Sequence, residues 1–536
     1  MKKNRILSII LAGVLLAGVL AACAPVAAPP PAVQPPAATG QAQAHTPPAG
    51  APEPAVPAEE VPARGIIVAT NAEPPSIAPA RHVSDHGART NQLTHNGLFR
   101  TDAETLQPVP DLVASWRALS DTLFEFTLHE GVLFHNGEEL TAYDVVVSVD
   151  YVRNYPEARA VHGSIVNAEV IDRHTFTLDT GTPNALLFVD LTHQGNFVMP
   201  ASLIEAGHDF QANPIGSGPY VFDDWRRGDS LTFTRFDSYF DTTRAPILEY
   251  VHWRIIPEGA SRTIALETGE VDFIVEVANP DIPRMQENPD ITVYMRPGTG
   301  YNFMLLNNDL PKFSNVYVRR AIDMAIDKEA AVMASLDGFG IPTWQNMPKV
   351  FAGASAEGIR SFDPDGARAL LAEQGVDPGA MGFEMLAFNE EGRRRAEVVQ
   401  SNLADIGIPT TITQLDLATY LSLTQFGDFE AGFSGFGSTS LLAFFAATSH
   451  INTIDAQNRS RMRNQELSDL IDKAIATIDA DTRYSILEEA SRVANEHVGF
   501  IPMHQNILVR AFNSNLVAPE LSGAGAINLN VAYWAE

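Results

Sequence analysis

The chain has 536 residues, 45% of them hydrophobic, with 36 Lys and Arg against 65 Asp and Glu. That length exceeds a single hydrophobic core and predicts two to four domains, while the ordinary apolar fraction excludes wholesale disorder. A net charge of −29 argues against a nucleic-acid partner, and one cysteine excludes an intramolecular disulfide or a cysteine-built metal site.

Lys2, Lys3 and Arg5 precede an uncharged apolar run over 6–22, the layout of a secretory signal. At 17 residues the run falls short of the roughly 20 that span a bilayer. It ends in Leu20-Ala21-Ala22-Cys23, which resembles the bacterial lipobox; the resemblance implies cleavage of 1–22 and lipidation of Cys23. Of the 41 residues in 24–64, 12 are Pro, 13 are Ala and none is aromatic. Such a composition cannot offset the entropy of ordering, so 23–64 is expected to be a polyproline-like tether reaching on the order of 100 Å. Signal, anchor and spacer together predict a body held outside the cytoplasm, in the periplasm or at the cell surface.

The body is expected from residue 65 onward. The run 65–70 (GIIVAT) reads as a short apolar strand, and 124–129 (FEFTLH) alternates as a half-buried one. His135-Asn136-Gly137-Glu138 predicts a turn, and Thr141 with Asp144 predicts a capped helix start. Further strands are expected at 175–178 and 231–234. In the second half Val318, Ala321, Ile322 and Ala325 recur at helical spacing, with Arg319 four residues before Asp323 as an expected pair. Asp363-Pro364 predicts another cap, for a helix ending near Gly375. Helices are also expected through Ala396–Ile406, through 467–478 and through 484–494. A strand-rich first half and a helix-rich second half predict two lobes of mixed α/β type.

Catalytic patterns are missing from the sequence. It has no G-x-x-x-x-G-K-[ST] loop and no G-x-S-x-G elbow. His129-Glu130 followed by His135 misses the spacing of a zinc helix, so surface histidines are expected there. Asp363-Pro364-Asp365-Gly366 lacks the later ligands of a calcium loop. The pairs Gly216/Gly218 and Gly298/Gly300 read as turns. Binding without catalysis, and without a cofactor or metal, is the expectation, with a surface hydrolase as the alternative class.

Seven blocks carry a family resemblance. They are 71–80 (NAEPPSIAPA), 112–148, 215–220 (IGSGPY), 268–272 (TGEVD), 315–327 (NVYVRRAIDMAID), 362–375 and 403–408. In this order they resemble the family 5 extracellular solute-binding proteins of ABC transporters, which include dipeptide-, oligopeptide- and nickel-binding proteins. The resemblance implies a type II, two-lobed α/β clamp with an extra subdomain in the first lobe. It places lobe I at 65–300 and 504–536, with the subdomain at about 100–180, and lobe II at 301–503, hinged near Tyr301 and His504. It implies a monomer that passes a peptide or similarly sized polar solute to a permease and its ATPases. Expected liners are Glu73, Pro75, Ser76, Tyr301, Asn302, Phe303, Trp344, Phe436, Gly437, Ser438 and Thr439. Peptide binders of the family carry a W-x-x-D segment whose aspartate pairs with the peptide amine. Here Phe436 to Thr439 stands in its place, and a hydroxyl cannot neutralise a buried ammonium. An oligosaccharide, an opine-like compound or a metal chelate is therefore the alternative ligand.

Overall fold

The computed structural model describes residues 64–79, 84–153, 155, 164–347, 351–517 and 519–535. The signal, Cys23 and nearly all of the tether lie outside the described residues.

Strand Ile66–Thr70 pairs in parallel with Tyr250–Ile255 on one side and Phe273–Ile274 on the other. Ile66 and Val68 enter one apolar cluster and Ala69 another, so both faces are covered. A strand buried on both faces needs no polar alternation, which is why its sequence is continuously apolar. Across the main sheet of 11 strands the order is Thr410–Gln414, Phe383–Ala387, Ala431–Gly437, Ile291–Leu306, Ile501–Asn513, Phe273–Ile274, Ile66–Thr70, Tyr250–Ile255, Ser230–Arg235 and Tyr220–Arg226. Gly340–Pro342 pairs alongside Ile501–Asn513.

Two long antiparallel strands, Ile291–Leu306 and Ile501–Asn513, run through the middle of this sheet. Their first stretch, Ile291↔Asn513 to Pro297↔Ile507, belongs to the first lobe's sheet. After register shifts between Pro297 and Tyr301 and between Asn302 and Phe303, the remainder pairs with the second lobe. Such irregularities bend and twist a strand locally. The fold is thus a two-lobed α/β clamp whose lobes share one sheet. In the second lobe one face of the sheet buries Met304, Leu306, Ala431 and Phe433 under helices that include Val316–Ala325 and Glu390–Asp405. The other face buries Tyr301, Phe303 and Leu305 under Leu441–Thr448, Gln465–Ile475 and Ala480–His497.

The first lobe carries a separate four-stranded sheet, ordered Val113–Ala118, Leu123–Leu128, Thr175–Asp179 and Asn167–Val170. Leu123–Leu128 alternates in burial as its sequence does. Helix Ala142–Val152 packs on this sheet, and its start is fixed by Asp144. That carboxylate accepts from the Thr141 N–H at 2.8 Å and from the Ala201 N–H at 2.8 Å. Likewise Asp363 caps Pro364–Glu373 by accepting from the Gly366 N–H at 2.8 Å.

Three local expectations need correction. Arg319 does not pair with Asp323: its guanidinium donates to the carbonyls of Phe313, Ser314, His497 and Val498, which leaves Asp323 to Lys328 and Arg360. The amphipathic helix from 467 ends at Ile475, so Ile478 lies in the connection beyond it. His135 is partly buried, with Nε2 3.0 Å from the Gly218 carbonyl, and burial lowers its pKa to about 4. His129 is exposed.

Candidate functional site

A cavity of about 240 Å³ lies between the extra subdomain side of the first lobe and the second lobe. One wall is Leu106, Gln107, Pro108 and Trp116 with Asn184, Ala185, Phe188 and Val189. The other is Phe351, Ala352, Thr439 to Leu442, Ile478, Arg483, Tyr484 and Leu487.

On the first wall Leu106 closes a turn whose shape is set by Asp102. The Asp102 carboxylate accepts from the Thr105 N–H at 2.8 Å and from the Thr105 hydroxyl, and these bonds hold its pKa below the usual carboxylate value. Leu106 itself adopts φ +60°, a left-handed conformation that costs a branched residue roughly 1–2 kcal/mol. Its side chain is 5% exposed and joins the apolar cluster of the second lobe, as Ala185 and Leu186 do. The Ala185 N–H donates to the Ile475 carbonyl at 2.8 Å, so the walls touch through backbone as well as side chains. Trp116, 45% exposed, leans on Phe188 with ring centroids 4.5 Å apart.

On the second wall, strand Ala431–Gly437 delivers the chain to a Ser438–Ser440 turn in which the Ser438 hydroxyl donates to the Ser440 carbonyl at 2.9 Å. Helix Leu441–Thr448 begins there with Ser440 as its cap. Arg483 Nη1 donates to the carbonyls of Thr477 and Ile478 at 2.9 and 2.8 Å, beyond the C-terminal end of Gln465–Ile475. No Asp or Glu lines either wall, and Arg483 is the lining residue that carries a charge at neutral pH.

Of the residues expected from the sequence, Thr439 lines this cavity. Phe436 is half-buried beside Phe444, and Gly437 and Ser438 form the approach to Thr439. Tyr301 and Phe303 are core residues. The Tyr301 hydroxyl donates to the Gln345 carbonyl, and Phe303 stacks on Phe500 at 4.3 Å. Asn302 projects from the opposite face of its strand and donates to the Asn506 side chain at 2.7 Å. Trp344 places its ring 5.6 Å from the Lys328 ammonium, with no hydrogen-bond partner for Nε1. Glu73 accepts from Trp225 Nε1 at 3.2 Å and from the Gly228 N–H at 3.1 Å, which ties it to a hairpin of the first lobe. Ser76 hydrogen-bonds Gln211, and Pro75 is exposed. These three residues are apart from the cavity wall.

Sequence reading missed Leu106, Trp116, Phe188, Phe351, Arg483 and Tyr484. Trp116 is exposed on a strand that opens to solvent after Val113, a feature the structure alone reveals. The others are brought together by tertiary packing alone. At the end of Ile66–Thr70, where ligands of open α/β sheets commonly sit, the structure instead satisfies its own charges. Glu276 accepts from Asn71 N–H at 3.2 Å and pairs with Arg89 at 2.7 Å. Among the described residues no group of three or more His, Cys, Asp or Glu could hold a metal ion, and no helix is long and apolar enough to cross a membrane.

Comparison with known proteins agrees with this architecture. The chain is 25% identical over 443 residues to the glutathione-binding protein GsiB of Shigella dysenteriae, covering 79% of this chain and 85% of that one. HbpA2 from Haemophilus parasuis superposes with a TM-score of 0.80 at 22% identity, covering 88% of this chain and all of that one. DppA from Helicobacter pylori, in complex with the peptide STSA, superposes with a TM-score of 0.75 at 22% identity, covering 88% and 98%. Residues 107–449, more than half of the chain, match the family described as bacterial extracellular solute-binding proteins, family 5 Middle. A shared sheet, two lobes and a cavity between them are accordingly those of a bacterial extracellular solute-binding protein of family 5, the family to which this chain belongs.

Proposed function

We propose that the chain is the lipid-anchored substrate-binding protein of an ABC importer, and that it binds its solute without chemical turnover. It captures a peptide or similarly sized polar solute between its lobes and delivers it to a membrane permease served by separate ATPases. The observation that carries this reading is a cavity walled from both lobes, because a ligand touching both walls favours the closed state by its differential affinity. Lobe I is assigned to 65–300 with 504–536 and lobe II to 301–503, and the strand irregularities at Tyr301, Asn302 and His504 serve as the hinge. Cys23 anchors a monomer outside the cytoplasm. GsiB is a glutathione-binding protein and DppA was solved in complex with the peptide STSA, which supports the peptide class.

A second reading is favoured by the cavity lining, which offers no carboxylate to a peptide amine. An opine-like, oligosaccharide or chelate ligand then replaces the peptide. Native mass spectrometry of the full chain, before and after denaturation, separates the two. Released peptides of mixed sequence support the first reading, and a single non-peptide compound supports the second. Conversion of the bound solute into a product by the purified protein would overturn both.

A further inference from the structure

We infer that the cavity selects a carboxylate-bearing solute with an apolar body, holds its anionic end at Arg483, and rejects a free ammonium group. This rests on the solute-binding reading and deepens its second form, the non-peptide ligand. Arg483 lines the cavity, and no carboxylate in either wall is there to pair with it. Arg483 Nη1 is engaged by the carbonyls of Thr477 and Ile478, while Nε and Nη2 have no protein acceptor among the described residues. Asp479 lies close enough to be influenced by Arg483. Its carboxylate, however, is committed to the cap of Ala480–His497, accepting from the Thr482 N–H at 2.9 Å and from the Thr482 hydroxyl.

The remaining lining sorts into two kinds. Trp116, Phe188, Phe351 and Leu442 supply apolar surface. The Thr439 side chain adds a hydrogen-bonding hydroxyl on the same wall as Arg483. A guanidinium presents paired N–H groups that match a carboxylate, and such charge-assisted bonds are roughly twice as strong as neutral ones. An ammonium placed here would lose water and meet a like charge with no acid to offset it.

The test is saturation-transfer NMR on the full chain with three probes of one shape: 3-phenylpropionate, 3-phenylpropanol and 3-phenylpropylammonium. The carboxylate is expected to bind about tenfold tighter than the ammonium. Arg483→Gln should abolish that preference while the alcohol binds as before, which also reports that the cavity is intact. Arg483→Lys should retain part of the preference, and Thr439→Asp should tighten the ammonium. Equal or tighter ammonium binding by the natural protein overturns the inference, as does a carboxylate preference that survives Arg483→Gln. Absence of carboxylate binding also overturns it. If the alcohol or the ammonium then binds, the solute-binding reading still stands.

Discussion

Asp323 has a side chain with no solvent exposure and two cations: Lys328 Nζ at 2.7 Å, itself fully buried, and Arg360 Nε at 3.1 Å. Burial pulls the Lys328 pKa down, and the adjacent Asp323 carboxylate works against that shift. Removing one member of a buried ionic group leaves the others unpaired, so Asp323→Asn should destabilise the protein by about 3–5 kcal/mol in denaturant unfolding. A loss below about 1 kcal/mol would show that water or a rearranged Arg360 compensates. The spacing of Arg319 and Asp323 suggested that they meet each other, because residues four apart share a helix face. That spacing is silent about what arrives from elsewhere. The C-terminal end of Ala480–His497 brings the His497 and Val498 carbonyls to Arg319, and helix Lys328–Leu336 brings Lys328 to Asp323. The same limit explains Tyr301 and Phe303. Alternation along the strand separates them from Asn302, but it does not say which face lies under helices.

At the scale of elements, caps and turns were the most legible features because their chemistry is local. Thr141 with Asp144 and Asp363 with Gly366 form as their residue types suggest. Gly137 and Gly375, with φ of +85° and +65°, occupy backbone conformations that favour glycine. Gly216 and Gly218 do more than turn the chain, because their role is close approach to helix Asp85–Thr94. A Cβ on Gly218 would stand 2.4 Å from the carbonyl carbon of Thr94 and 2.5 Å from the His95 nitrogen, at the end of helix Asp85–Thr94. Both are backbone atoms and cannot swing aside. Gly218→Ala should therefore destabilise the first lobe by about 1–3 kcal/mol, measured by urea unfolding. An unchanged midpoint would mean that the turn moves freely away from the helix. The cavity wall is less legible, since Leu106 and Ile478 lie in connections and Arg483 in the first turn of Ala480–His497, brought together only by tertiary packing.

At the scale of the molecule, burial lowers the pKa of six histidines among the described residues, His86, His252 and, further, four others. His95 and His504 are lowered from 6.5 to about 3, and His135 and His497 to about 4. Below pH 6.5 the unfolded chain takes up protons that the folded chain refuses, so their contribution to stability is lost as pH falls toward those values. Asp190 opposes this trend. Burial raises its pKa from 3.8 to about 7, so its contribution falls as pH rises between those values. Unfolding free energy measured between pH 4 and 6.5 should accordingly be less steep in His95→Gln than in the natural protein, by roughly one proton. Equal slopes would place water or a charge partner at His95. The two-lobed α/β class was readable from the order of several local motifs, each of which reports its own turn or helix. Which residues face one another across the lobes was not, because that depends on how the shared strands bend at Tyr301 and His504. Solute is bound between the walls that meet where the Ala185 N–H donates to the Ile475 carbonyl. The most direct test is a thermal-shift screen of a solute library on the full chain and on Ala352→Trp, which fills the cavity from an exposed position. At least one solute should raise the unfolding temperature of the natural protein and leave that of Ala352→Trp unmoved. Solutes that stabilise both proteins equally, or none that stabilises either, would contradict the account.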